Sequence, residues 1–282
     1  MDIKLLGTGA AEGWPGLFCD CVVCTHARNS GGKNIRSRAS ALIDGVLKID
    51  LPPDLHMQAT RYGLNLRDLR YLLITHSHDD HLCPTELQYM GQWFVTRPLP
   101  NNLQIYGPTP ALNRIQREVD ISKLPVCVTP VSPQQVLNLD DYRITAIEAA
   151  HDPSQLCLNY IISTQDGTQV LYASDTGWYT EETWQFIERQ RFDAVIIECT
   201  KGPTPTDYSG HLDMFQVIEM KARLLRTHSI ALDTPFIATH FSHLGRSTHE
   251  ELECALLSHN IVTAYDGYEL SVSAAKRVVL AP

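Results

Sequence analysis

The sequence predicts an α/β fold in one domain, with two β-sheets packed together and helices outside them. Three observations point there. Short β-like runs bounded by Gly, Pro, Asn and Asp recur through both halves of the chain, with helical stretches between them. The 282 residues are 44% hydrophobic and 20% charged, a balance that fills a buried core. No low-complexity linker and no short repeat divides the chain.

Each element has its own signal. IKLLGTG reads as a strand entering a glycine turn, and a long irregular stretch from Ala11 to about Arg38 follows it. ASALIDG and VLKIDLP read as the arms of a hairpin that turns at Asp44-Gly45. Asp54 to Tyr62 has helical character and stops before Gly63. LRYLLITH reads as a buried strand, and PTELQYMGQWFV as a helix with Pro84 in its first turn. NLQIYG is a predicted strand and ALNRIQREVD a predicted helix. YRITAIEAAH, LNYIIST, QVLYASD, DAVIIEC and PFIATH are further strands. TEETWQFIER and HLDMFQVIEMKARLL are helices, the second carrying an apolar stripe at helical spacing.

Charge and composition limit the function classes. The formal net charge is -9 and there is no Lys/Arg block. Extended nucleic acid needs a basic patch, so that class of partner is disfavoured. A small anionic substrate reached through bound cations fits this charge. The N-terminus lacks a basic segment followed by an apolar one, and no apolar run approaches the ~20 residues of a membrane span. A cytoplasmic protein without a membrane partner is expected.

The chemistry concentrates in two motifs. LRYLLITH runs into His76, His78, Asp80 and His81, four potential ligands within six residues of a loop after a strand. Imidazole and carboxylate suit zinc, manganese or iron. His151, Asp175 and His240 each close a later predicted strand. Cys19, Cys21 and Cys24 form the second motif, Cys-x-Cys-x-x-Cys, which suits a structural zinc that still lacks a fourth ligand. The local candidate is His26. The distant one is His243, whose odd spacing from His240 puts the two on opposite faces of an extended segment. Cys83, Cys127, Cys157, Cys199 and Cys254 read as small buried hydrophobes. His56, His228, His249 and His259 read as solvated surface, and Trp14, Trp93 and Trp178 as packing.

The run His76-Ser77-His78-Asp79-Asp80-His81, with His151, Asp175 and His240 following in order, resembles the metallo-β-lactamase superfamily over nearly the whole chain. The resemblance implies an αββα sandwich of two mixed β-sheets flanked by helices, in a single domain over 1–282 with a zinc-binding loop insertion at about 14–36. It implies a dinuclear site in which His76, His78 and His151 hold one metal, Asp80, His81 and His240 the other, and Asp175 bridges them. GTGAAEG, the cysteine cluster, SRAS and the paired late histidines resemble the PhnP-like phosphodiesterase branch, which belongs to the carbon–phosphorus lyase pathway. In that branch a late histidine completes the structural zinc, which points to His243.

This likeness implies a dinuclear-metal-dependent phosphodiesterase that hydrolyses a small phosphate diester, a cyclic ribose phosphate among the candidates, by a metal-bridging hydroxide. Its cofactors would be two divalent metals, manganese, zinc or iron, and one structural zinc. His211, in YSGHLDMF, and Asp80 are the implied catalytic residues, His211 protonating the leaving oxygen. Asp213 and Asp207 are the candidates to orient it. Thr176-Gly177 lies where its backbone N–H groups would meet a phosphate. Two other readings stand beside this one. A tRNA 3′-processing endonuclease-like hydrolase suffers from the lack of basic character. A PqqB-like cofactor-biosynthesis protein suffers from the intact His-x-His-x-Asp-His. The sequence leaves a homodimer open.

Overall fold

Strands that are apolar on both faces must be covered on both faces, and this requirement sets the layers of the molecule. The computed structural model describes residues 1–205 and 207–274; the expected domain over 1–282 runs on into 275–282, which lie outside the described residues. In chain order the elements are β1 (Asp2–Gly7), α1 (Val22–Ser30), β2 (Ser40–Ile43), β3 (Leu47–Ile49), α2 (Leu55–Arg61), β4 (Tyr71–Leu73) and β5 (Leu103–Gly107). Next come α3 (Thr109–Glu118), β6 (Val126–Pro130), β7 (Val136–Asn138), β8 (Tyr142–Glu148), β9 (Leu158–Thr164), β10 (Gln169–Ala173) and α4 (Glu181–Ile187). The chain finishes with β11 (Ala194–Glu198), α5 (Met214–Arg226), β12 (Phe236–Thr239), α6 (His249–Leu257), β13 (Val262–Thr263) and β14 (Tyr268–Ser271).

Two seven-stranded sheets result, ordered β14-β1-β2-β3-β4-β5-β6 and β13-β12-β11-β10-β9-β8-β7. Both are mixed. In the first, β14, β1, β2 and β3 pair antiparallel and β3 to β6 pair parallel. In the second, β7 to β10 pair antiparallel and β10 to β13 parallel. Successive strand residues point to opposite faces, so alternate positions feed different cores. Val170, Tyr172, Ala194 and Ile196 face the other sheet and meet Ile43, Leu47, Ile49 and Leu73. Leu171, Val195 and Ile197 face outward and pack under α4, α5 and α6 through Trp184, Val217, Met220, Leu224 and Leu252. On the other side Leu72, Ile74 and Ile105 pack with Leu112 and Ile115 of α3. The predicted αββα sandwich is the observed one. No helix among the described residues is long and apolar enough to cross a membrane.

Local chemistry fixes several ends. Asp44 and Gly45 both have positive φ, 49° and 72°, as a two-residue type I′ turn requires. Capping boxes start α5 at Asp213/Gln216 and α6 at Thr248/Glu251. Three expectations are corrected. The segment after Pro84 is a 3₁₀ helix over Pro84–Met90 and not a long α-helix; Gly91 and the exposed Trp93 and Phe94 give it no apolar face to continue on. The stretch from Ala11 to Arg38 contains α1. It also has a closed base, where Trp14 N donates to Arg36 O at 2.9 Å and Arg36 N returns the bond to Trp14 O at 2.6 Å. Of the five lone cysteines only Cys157 and Cys199 are buried; Cys127 and Cys254 are exposed on an edge strand and a helix face, and Cys83 is half-buried.

The inter-sheet core is well filled, so truncation there leaves a cavity. Ile196→Ala is expected to cost about 2–5 kcal/mol in denaturant-induced unfolding, without a change in strand content by circular dichroism.

Candidate metal centre and catalytic site

The strands that run in one direction deliver polar residues to one edge of the sandwich. β8, β10, β11 and β12 share a direction, and His151, Asp175, Glu198 and His240 stand at or just past their C-terminal ends. β3 and β4 add Asp50 and the segment from Thr75 to His81. Asp50, Asp175 and His240 all have positive φ, at 60°, 28° and 57°. Non-glycine residues hold such backbone only where the surroundings enforce it. Here it turns the chain abruptly off the strand and leaves the side chain at the sheet edge.

Two sets of side chains that could hold a metal gather at this edge. His76 Nε2 and His151 Nε2 lie 2.9 and 3.1 Å from His78 Nδ1. His81 Nε2 lies 3.3 Å from His240 Nε2 and 3.1 Å from both Asp80 Oδ2 and Asp175 Oδ1. Asp80 Oδ2 is also 3.7 Å from His240 Nε2, which gives Asp80 the position of a ligand. Asp175 divides its oxygens. Oδ1 sits 2.9 Å from His240 Nε2, while Oδ2 turns to His151 Nε2 at 3.6 Å and His76 Nε2 at 3.9 Å. Nitrogens bound tetrahedrally to one zinc at 2.0–2.1 Å would stand about 3.3 Å apart, and these spacings match.

The electrostatics also ask for cations. Burial alone would raise the carboxyls of Asp80 and Asp175, yet the flanking imidazoles hold both well below the usual carboxylate range. Burial would likewise lower His81 and His240, but Asp175 and Asp80 outweigh it, pushing His81 well up and His240 to about 10. The pocket therefore recruits positive charge even from protons, and a divalent cation fits the same demand. His76 and His151 go the other way. Burial lowers both, so they are neutral imidazoles with a lone pair ready for a metal.

Each of these candidate ligand rings is held from behind. His81 Nδ1 donates to Asp50 Oδ2 at 2.6 Å, and Asp50 also accepts from Thr75 N at 2.8 Å. His76 Nδ1 lies 3.0 Å from Thr75 Oγ1, and His78 Nε2 lies 3.1 Å from Asp152 Oδ2. His151 Nδ1 donates to the Gly210 carbonyl at 2.8 Å. His240 Nδ1 donates to Thr200 Oγ1 at 2.8 Å, and that hydroxyl donates to Glu198. Such outer partners fix the tautomer that leaves the inner nitrogen free.

His211 stands against both sets, its ring centroid 4.7 Å from that of His151 and 5.6 Å from that of His240. Its partner is Glu198, not Asp213 or Asp207. His211 Nδ1 donates to Glu198 Oε1 at 2.7 Å, and the fully buried Glu198 also accepts from Thr176 N and Leu212 N. Asp213 is used as the cap of α5, and Asp207 is exposed. Burial lowers the His211 ring but Glu198 raises it further, so it rests above its ordinary value. Thr176 N and Gly177 N are not turned to a phosphate: they donate to Glu198 and to the Ala150 carbonyl. Glu198 and Asp50 were missed in the sequence, although each closes an apolar strand just as Asp175 does.

The cysteines gather separately. Cys19, Cys21, Cys24 and His243 bring their ligand atoms within 4.8 Å of one another. His243 Nδ1 lies 3.8 Å from Cys19 Sγ and 3.7 Å from Cys21 Sγ, close to the roughly 3.5 Å expected around one tetrahedral zinc. Its Nε2 faces Glu12 at 3.7 Å. His26 turns instead to Ser30 at 3.3 Å and Glu250 at 3.7 Å. His240 and His243 part company through the left-handed backbone of His240 and a 3₁₀ turn at His243–Gly245, not through strand alternation. His249 is buried, with Nδ1 2.8 Å from Arg36 Nη2, and is not solvated surface.

A family model described as a beta-lactamase superfamily domain matches residues 42–241. Among solved structures, a diphosphatase from the PhnP family aligns with a TM-score of 0.76 at 20% identity, covering 96% of this chain and 97% of that one. Zn²⁺-bound PqqB from Methylobacterium extorquens aligns at 0.74 and 17% identity, over 96% and 100% of the two chains. Human tRNase Z, short form, aligns at 0.65 and 17% identity, over 97% and 100%. At these identities the likeness is one of fold. An octanoyltransferase of Porphyromonas gingivalis is 37% identical over 82 residues, 28% of this chain, and the chain spans 16% of that protein's length.

The geometry around the cysteines makes a direct prediction. His243→Ala is expected to lose about one zinc equivalent by elemental analysis and to lower the thermal midpoint, while His26→Ala changes neither. Loss of zinc from His26→Ala instead would move the fourth ligand to His26.

Proposed function

The chain belongs to the beta-lactamase superfamily, and from that premise we propose that it is a metal-dependent phosphodiesterase acting on a small phosphate diester. One observation carries the reading: Asp175 turns one oxygen to each of two histidine sets, with the His211–Glu198 pair beside them. His76, His78 and His151 would hold one divalent cation, Asp80, His81 and His240 a second, and Asp175 both. A bound pair supplies Lewis acidity that acidifies water and neutralises phosphoryl charge. Nitrogen and carboxylate donors accept manganese, zinc or iron, whereas three thiolates and an imidazole favour zinc.

The protein's own groups do the rest. Glu198 accepts the Nδ1 proton of His211, orients the ring and raises its affinity for a proton on Nε2. His211 Nε2 gives that proton to the leaving oxygen as the phosphorus–oxygen bond breaks. The buried outer partners Asp50, Thr75 and Thr200 keep the ligand rings from turning between cycles. His78 is the half-exposed ligand, so substrate enters on its side of the site.

Purified protein supplied with manganese or zinc is expected to hydrolyse bis(p-nitrophenyl) phosphate and a ribose cyclic phosphate, and to leave pre-tRNA and a chromogenic β-lactam intact. Turnover of either of the latter with the diesters untouched would overturn the reading. His211→Ala should keep its metal content while kcat falls about 10²–10⁴-fold. The pH profile tests Glu198. An acid must be protonated to work, so activity falls as pH rises through its pKa. Glu198 raises that pKa, and Glu198→Gln should therefore move the alkaline limb of kcat to lower pH.

A further inference from the structure

His78 is the odd member of its set. His76 and His151 are buried and turn Nε2 inward, whereas the His78 side chain is 40% exposed and turns Nδ1 inward. Nδ1 is the ring nitrogen nearer its own main chain. A shift of the backbone at residue 78 therefore carries the donor atom with it, and the solvent on one face of the ring does nothing to oppose the movement. A ligand placed this way keeps its geometry only if the chain around it is held from outside.

Arg114 of α3 takes hold of that chain. Its Nη1 donates to the carbonyl of Ser77, the residue before His78, at 2.6 Å. Its Nη2 lies 2.6 Å from Oδ1 of Asp79, the residue after His78. One guanidinium thus clasps the backbone and the side chain on either side of the ring. The third nitrogen, Nε, lies 2.9 Å from Glu118 Oε1 one helical turn on, which fixes the plane of the fork. The helix is itself anchored, because Ala111, Leu112 and Ile115 are buried against Leu72, Ile74 and Ile105.

The other side of Ser77 goes to Gln155, whose Oε1 accepts from Ser77 N at 3.2 Å and from Ser77 Oγ at 2.5 Å. Gln155 Nε2 donates to Asp152 Oδ2, the same oxygen that stands behind the His78 ring. Asp152 and Gln155 lie in the loop between β8 and β9, so they tie His78 to a loop. Arg114 supplies the tie to a packed element. As a device for fold stability the clasp is poor: the Asp79 side chain is 91% exposed, and ion pairs that open to water contribute little to folding.

We propose that Arg114 is the positioning residue of His78: by clasping the chain before and after that ring, it sets the affinity of the cation site that His76, His78 and His151 would form. The proposal rests on the metal-binding part of the function above and is independent of the diester. It assigns Arg114 to one of the two cation sites, since Asp80, His81 and His240 are held by other groups.

The test titrates manganese alone, by calorimetry, into protein whose cysteine site holds zinc. The native chain is expected to show two binding steps, and His78→Ala should abolish one of them, which identifies the first site. Arg114→Met should raise the Kd of that same step about 10–100-fold and leave the other within about twofold. Asp79→Ala, which keeps the bond to the Ser77 carbonyl, should weaken the step less. An unchanged first step in Arg114→Met overturns the proposal. So does equal weakening of both steps together with a lower thermal midpoint of the metal-free protein, which is the mark of a merely structural residue. If Arg114→Met does not fold, Arg114→Lys replaces it: a single ammonium cannot span Ser77 and Asp79, so the same step should weaken, and unchanged constants again overturn the proposal. Two manganese ions bound by His78→Ala would instead remove His78 as a ligand, and with it the metal reading on which the proposal stands. None of these measurements uses turnover, so failure of the diester reading leaves the result intact.

Discussion

Two buried carboxylates that no Lys or Arg among the described residues neutralises, Asp80 and Asp175, are the constraint around which the rest of the structure is arranged. An isolated ionised carboxylate is costly in a low-dielectric interior, so such a group must find opposite charge or hydrogen-bond donors. Four buried imidazoles and the half-exposed His78 surround the pair, and each imidazole then needs an acceptor behind it. Asp50, Thr75, Asp152, Thr200 and the Gly210 carbonyl meet that second demand. The third shell is the sheets themselves, because most of these residues sit where a strand ends. The sandwich thus brings together, at one edge, groups scattered from residue 50 to residue 240.

The positive-φ residues show how tightly that edge is built. Asp50, Asp175 and His240 each sit in backbone that disfavours a side chain, and each lies one or two residues beyond a strand whose interior is apolar. The strain is offset by packing on both sides of the sheets. In Glu198 the same economy appears in hydrogen bonding. One buried carboxylate orients His211, anchors the Thr176 backbone beside Asp175, and steadies His240 through Thr200. Groups joined this way do not act independently, so changes at any one of them are expected to couple.

Much of this was legible because it is local or periodic. Four of the candidate ligands fall within six residues, and His151, Asp175 and His240 stand out as polar residues closing apolar runs. The hairpin at Asp44-Gly45 was legible because only a few residue pairs accept two positive φ angles. Glu198 and Asp50 carry the same strand-closing signal and were passed over, because a carboxylate after a strand is also common as a turn or cap. The helix α1 was hidden among cysteines and β-branched residues, whose helix propensity is modest. The short edge strands β7 and β13 bury little and carry no alternation, and β14, whose Tyr268-Glu269-Leu270-Ser271 does alternate, is only four residues long. His249 looked solvated because nothing near it in sequence announces Arg36, its partner across 213 residues.

The cysteine loop has its own base, closed by Trp14 and Arg36, but its fourth candidate ligand, His243, comes from far along the chain. Cys19 and His243 are 224 residues apart. At 5–20 residues per second, a ribosome needs roughly 11–45 s to make that stretch. During that interval the three thiols stand together with no imidazole to close the set. Assembly of this corner therefore waits until His243 has been made, and the thiols of Cys19, Cys21 and Cys24 are closed off only after β2 to β12 have been synthesised between them and that histidine.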